Sequence, residues 1–97
     1  MARIDCISNI DRNGDQYYIV VAEEPAVNRL DLWDGGKCFS FELNHRKQTT
    51  EVYSFFWKNG VPSNFNKIKT FHDEILGEKE IIKFVESYSP AVKPGIK

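Results

Sequence analysis

Histidine, cysteine and clustered carboxylates are the side chains that could do chemistry in this chain, and their spacing argues for little of it. His45 and His72 have no cysteine or second histidine at metal-ligand spacing. His72-Asp73-Glu74 sets an imidazole beside two carboxylates at the end of an expected strand, an arrangement that reads as a solvated polar contact. Asp11-Arg12-Asn13-Gly14-Asp15 matches positions 1, 3 and 5 of a calcium loop. Gln16 stands where that loop requires glycine, however, and Ala22 where it requires a bidentate glutamate. A tight hairpin turn accounts for the same residues. No glycine-rich phosphate loop and no Gly-x-Ser-x-Gly or Cys–His signature occurs. Cys6 and Cys38 are expected as reduced, largely buried thiols. The expectation is a protein that is not an enzyme, with no catalytic residues, metal or cofactor.

Charge and aromatic content suggest binding instead. The 97 residues carry 13 basic and 14 acidic side chains, a net charge of −1. That balance excludes a strongly basic nucleic-acid coat protein or a polybasic membrane binder. The near-neutrality conceals a segregation. Residues 1–43 hold eight acids and four bases, whereas residues 44–71 hold five bases and Glu51 alone. The basic block also contains Tyr53, Phe55, Phe56, Trp57, Phe65 and Phe71. Two binding chemistries follow. In one, Trp33, Tyr53 and Trp57 with the acids Asp31 and Asp34 contact a protein partner, since aromatic anchors and charged rims dominate protein interfaces. In the other, Arg46, Lys47, Lys58, Lys67 and Lys69 track the phosphates of a single-stranded nucleic acid while Trp57 or Tyr53 stacks on bases.

Two family patterns come near and are declined. Lys37-Cys38-Phe39-Ser40-Phe41 is similar to an RNA-recognition strand, but Glu42 occupies the place of an aliphatic residue. The order of Tyr53–Trp57, turn, lysine-bearing strand and helix resembles the WGR DNA-binding domain. Trp57-Lys58-Asn59 stands where that family has its defining Trp-Gly-Arg.

The elements that must position these residues follow from periodicity. Ile4, Cys6, Ser8 and Ile10 alternate with Asp5 and Asn9 as a first strand, and Gln16–Glu24 forms a second across the Asn13-Gly14 turn. Pro25 ends it. Leu30 and Leu32 alternate with Arg29 and Asp31, the Asp34-Gly35-Gly36 triplet is expected to turn the chain, and Phe39, Phe41 and Leu43 alternate on the return strand. Residues 51–58 make another strand, closed by Asn59-Gly60 and Pro62, and residues 66–72 a short one. Ile81, Ile82, Val85 and Tyr88 then recur at helical spacing. Gly77 is the expected N-cap, Glu78 and Glu80 lie in the first turn, and Pro90 is the expected stop.

The chain therefore reads as one α+β domain over residues 1–90 with a flexible tail at 91–97. Its architecture is an antiparallel five- to six-stranded β-meander with one C-terminal α-helix packed on one face. Residues 17–22 and 52–57 are apolar on both faces: Tyr53, Phe55 and Trp57 share one side, Val52 and Phe56 the other. One helix cannot cover a five-stranded sheet about 24 Å wide. The excess implies a strongly curved half-barrel, a homodimer, or a face left for a partner. No signal peptide and no run of about 20 apolar residues is present, so a cytoplasmic protein without membrane association is expected. The functional expectation is a small binding protein: an inhibitor, an immunity or anti-defence protein of bacterial or phage type, or an assembly adaptor. The nucleic-acid reading stands as its alternative.

Overall fold

The computed structural model describes residues 3–9 and 15–91. Five long elements pair antiparallel in chain order: β1 (Arg3–Asn9), β2 (Gln16–Glu23), β4 (Trp33–Asn44), β5 (Thr49–Lys58) and β6 (Val61–His72). The two-residue β3 (Ala26–Val27) pairs with the start of β4, Val27 opposite Trp33. Helix α1 (Glu78–Ala91) follows β6. This is the expected α+β meander. The sheet is open, with β1 and β6 as its outer strands, and does not close into a barrel.

Alternation sorts the strands' side chains onto two faces. Val20 lies opposite Phe39, Phe39 opposite Ser54, and Phe41 opposite both Tyr18 and Val52, so these residues share one face. There they pack with Leu43, Leu76, Ile81 and Val85 as the main core. The helix rests on this side. Its Phe84 ring meets Phe41 and Phe71 edge-on at 5.9 and 5.7 Å, and Tyr88 meets Phe39 at 5.7 Å.

The chain between β6 and α1 is fixed by Thr50, which is fully buried. Its hydroxyl donates to the Glu74 carbonyl at 2.9 Å and accepts from the Leu76 N–H at 3.2 Å. Leu76 thereby enters the core directly ahead of the helix. At the helix start, the Gly77 N–H donates to Glu80 Oε1 at 3.1 Å, and the Gly77 carbonyl accepts the Ile81 N–H. This is the carboxylate half of a capping box.

Three expectations about the elements are corrected. The second hairpin does not turn at Asp34-Gly35-Gly36, because β4 runs straight through it. The turn lies earlier, where Asn28 Oδ1 accepts the N–H groups of Leu30 and Leu32 and Asp31 takes φ +61°. A short polar side chain that mimics backbone makes this loop. The two glycines instead form a β-bulge. Gly35 opposes Trp57 and Cys38 opposes Phe55, so β4 carries one extra residue. At Gly36, with φ +80°, an added Cβ would lie 2.7 Å from the Pro25 nitrogen and 2.8 Å from the Glu23 carbonyl oxygen.

Strand β6 begins at Val61 rather than Asn66 and contains Pro62. An outer strand can hold a proline without losing a ladder bond. Asn59 and Gly60, at φ +52° and +79°, form the expected two-residue turn of the β5–β6 hairpin. The helix also extends past Pro90 to Ala91. The Asn13-Gly14 turn, most of the calcium-like loop and residues 92–97 of the expected tail lie outside the described residues.

Candidate binding face

The sheet face turned away from the helix carries an aromatic chain. Along β5 the alternate residues Glu51, Tyr53, Phe55 and Trp57 point to this side, and the rings continue onto both neighbouring strands. Trp33 of β4 meets Trp57 edge-on at 4.8 Å, and Trp57 meets Phe55 at 6.0 Å. Phe55 stacks on Phe65 of β6 at 4.7 Å, and Phe65 reaches Tyr53 at 6.4 Å. Five rings are thus linked across three strands. Trp33 remains 44% and Phe65 50% exposed.

The rings partly explain how an uncovered face keeps a dry centre. Val21, Cys38 and Phe55 form a second cluster here, with Ile19 and Trp57 packed against it. Cys38 and Ser40 are buried because they are short residues between larger side chains. The two-sided apolar character of β2 and β5 therefore has two different outcomes. The helix covers one side; on the other, the side chains shield one another and leave their outer rings in water.

At one end the stripe meets carboxylates. Glu42 of β4 lies directly opposite Glu51 of β5, a like-charge cross-strand pair. Glu51 is compensated: its Oε1 accepts the Tyr53 hydroxyl at 2.9 Å, and its Oε2 faces Lys67 Nζ at 3.5 Å. Glu42 is raised from the ordinary carboxylate range by burial first and by the Glu51 charge second. Tyr53 is pushed up to about 12, by burial and by its hydrogen bond to Glu51. Asp15, Tyr17, Glu42, Asn44, Lys47 and Glu51 line a recess of about 170 Å³ at this end.

Of the residues expected to contact a protein partner, the structure brings Trp33, Tyr53 and Trp57 together on one face. Asp34 neighbours Trp33 and so alternates to the other side, where its carboxylate accepts the Asn59 N–H at 3.5 Å. Asp31 sits exposed in the loop before β4.

The residues expected to contact nucleic acid are spread. Arg46 and Lys47 lie in the β4–β5 turn, while Lys58 is at the far end of the ten-residue β5. Lys67 opposes Tyr53 on the open face. Lys69 opposes Val52 on the helix side, its ammonium 5.3 Å from the Phe71 ring. A β-bulge between them puts these two lysines on opposite faces.

His45 hydrogen-bonds Gln16 at 2.8 Å. Among the described residues no group of three His, Cys, Asp or Glu side chains is placed to hold a metal ion. No helix among them is long and apolar enough to cross a membrane.

Phe65 and the Glu42–Glu51 pair were missed as site residues. Phe65 could not be placed by alternation, because Asn64 takes φ +56° and the β5–β6 register slips there. The acid pair was legible in principle, since both residues sit on alternating strands, but only once the β4–β5 register was known. Comparisons of the chain with protein families, curated proteins and solved structures find no match.

Proposed function

We propose that this chain is a non-enzymatic protein-binding domain that acts through its open sheet face as an inhibitor, immunity-type neutraliser or assembly adaptor in the cytoplasm. The observation that carries this reading is the five-ring stripe Trp33–Trp57–Phe55–Phe65–Tyr53, which rests on a well-packed sheet and exposes two large rings. Rigid aromatic side chains lose little entropy on binding and bury large areas, which makes them the usual anchors of interfaces. Contiguous exposed apolar surface of this kind marks interaction sites on soluble proteins. The cytoplasmic placement is supported by the cysteines: Cys6 pairs with Ile19, which pairs with Ser40. Its backbone is thus two strands, about 9.6 Å, from that of β4, too far for a bridge to Cys38.

Affinity capture from native lysate tests the proposal, with the wild-type chain and a Trp33→Ala/Phe65→Ala double variant as parallel baits, each with and without nuclease. The expected result is a protein retained by the wild type, unaffected by nuclease and lost with the variant. Retention that nuclease abolishes would transfer the function to nucleic-acid binding. Equal retention by both baits would remove the face from the account.

A further inference from the structure

Among the described residues, Asn59-Gly60 in the β5–β6 turn is the one asparagine followed by a glycine. That dipeptide is the one most open to spontaneous deamidation, because glycine has no side chain to hinder the backbone nitrogen that attacks. Asn59 is exposed, and its carboxamide makes no hydrogen bond among the described residues. Asn28 and Asn44 differ, since their side-chain oxygens accept nearby backbone N–H groups. The electrophile at Asn59 is therefore free.

The nucleophile is restrained. The Gly60 N–H donates to the Trp33 carbonyl at 2.8 Å, which holds the proton that must leave before the nitrogen can attack. Asp34 Oδ1 stands 3.5 Å from the Asn59 nitrogen, and its charge opposes an amide anion forming one residue away. Leu32 lies against the same turn: a Cβ on Gly60 would meet its Cδ2 at 3.2 Å.

We propose that Asn59 is a deamidation site gated by the Trp33 carbonyl, reacting when the β5–β6 turn opens locally, and that its isoaspartyl product releases Trp33 from the turn. In the open turn the Gly60 nitrogen gives up its proton to solvent and bonds to the Asn59 side-chain carbonyl carbon. The carboxamide C–N bond breaks, and its nitrogen takes a proton from water and leaves as ammonia. Solvent water then adds to either carbonyl of the succinimide, opening one ring C–N bond. The products are aspartate, or isoaspartate with the main chain routed through the former side chain. Isoaspartate inserts a methylene into a two-residue turn whose residues both hold positive φ. The Gly60 N–H then no longer meets the Trp33 carbonyl, and the 4.8 Å approach of Trp33 to Trp57 loses an anchor. This holds whatever the open face binds.

Peptide mapping by mass spectrometry of the full chain, aged at mildly alkaline pH, tests the gate. Deamidation at Asn59 is timed in the folded protein and in guanidinium chloride, where Asn13-Gly14 reports the unrestrained rate. The folded reaction is about tenfold slower or more, the scale of one hydrogen bond that must open. Thr50→Val weakens the fold at the other end of β5 and leaves the folded rate unchanged, because the turn opens on its own. The fraction mapped to isoaspartate at residue 59 shows a shifted tryptophan emission. Equal rates in the folded and unfolded chain overturn the gate. A folded rate that rises with the stability loss of Thr50→Val places the reaction in the unfolded chain and overturns local opening. An isoaspartyl form with wild-type emission overturns the coupling to Trp33.

Discussion

Gly35 and Gly36 share the same left-handed backbone, at φ +75° and +80°, but not the same surroundings. This makes them a matched pair for testing how the start of β4 is held. An alanine at Gly35 meets nothing within 4 Å, so Gly35→Ala costs only the positive φ, about 1 kcal/mol. At Gly36 the new Cβ would approach the Pro25 nitrogen at 2.7 Å, the Glu23 carbonyl oxygen at 2.8 Å and the Pro25 Cα at 2.9 Å. All three are backbone atoms and cannot rotate away. Gly36→Ala therefore adds an overpacking cost to the conformational one, for a total of about 3 kcal/mol. In a domain of this size the expected falls in Tm are about 5 °C for Gly35→Ala and about 15 °C for Gly36→Ala. Thermal unfolding followed by circular dichroism measures both. Because the bulge also sets the approach of Trp33 to Trp57, Gly36→Ala should shift the fluorescence emission of the folded state. Equal Tm losses for the two variants would refute the close approach of β4 to residues 23–25, and with it the bulge as the device that seats Trp33.

Other outcomes follow from the same contacts. Thr50→Val keeps the shape but leaves the Leu76 N–H and Glu74 carbonyl without their partner, so urea unfolding should show a loss of about 2 kcal/mol. Glu42→Gln should stabilise the fold at pH 7 by about 0.5 kcal/mol, the scale of a like-charge cross-strand pair. The folded state raises Glu42 above 4.5, so the stability it lends is present in acid and lost as pH rises through the folded value. The advantage of Glu42→Gln should accordingly vanish below about pH 4, where the wild-type carboxyl is protonated. A variant that is no more stable than wild type at pH 7 would contradict the acid pairing.

Periodicity made the meander, the Asn59-Gly60 turn and the helix legible, because each is set by local patterning. Val52 against Tyr53, Phe55 and Trp57 placed the two faces of β5 correctly. What failed were features fixed by tertiary contacts. A glycine pair after an aspartate reads equally as a turn or a bulge, and only the approach of Pro25 and Glu23 to Gly36 decides between them. The true turn at Asn28 depends on one side-chain amide, which no hydrophobic pattern announces. Pro62 suggested a strand end, but it lies in an outer strand where its missing N–H costs no ladder bond. The aromatic half of the site was therefore readable except for Phe65. The acidic half needed the β4–β5 register. The basic segment was readable as a block, yet β6's bulge and the length of β5 disperse it.

Trp33 and Trp57 are the two tryptophans of the chain, and both lie in the ring stripe. Tryptophan emission, excited selectively over the four tyrosines, therefore reports on the open face alone, and acrylamide quenching of it with and without a captured, tryptophan-free partner tests the central claim most directly. Quenchable emission in the isolated protein that becomes protected in the complex is the expected result. Quenching unchanged by a bound partner would contradict it, because the partner would then sit on some other part of the surface.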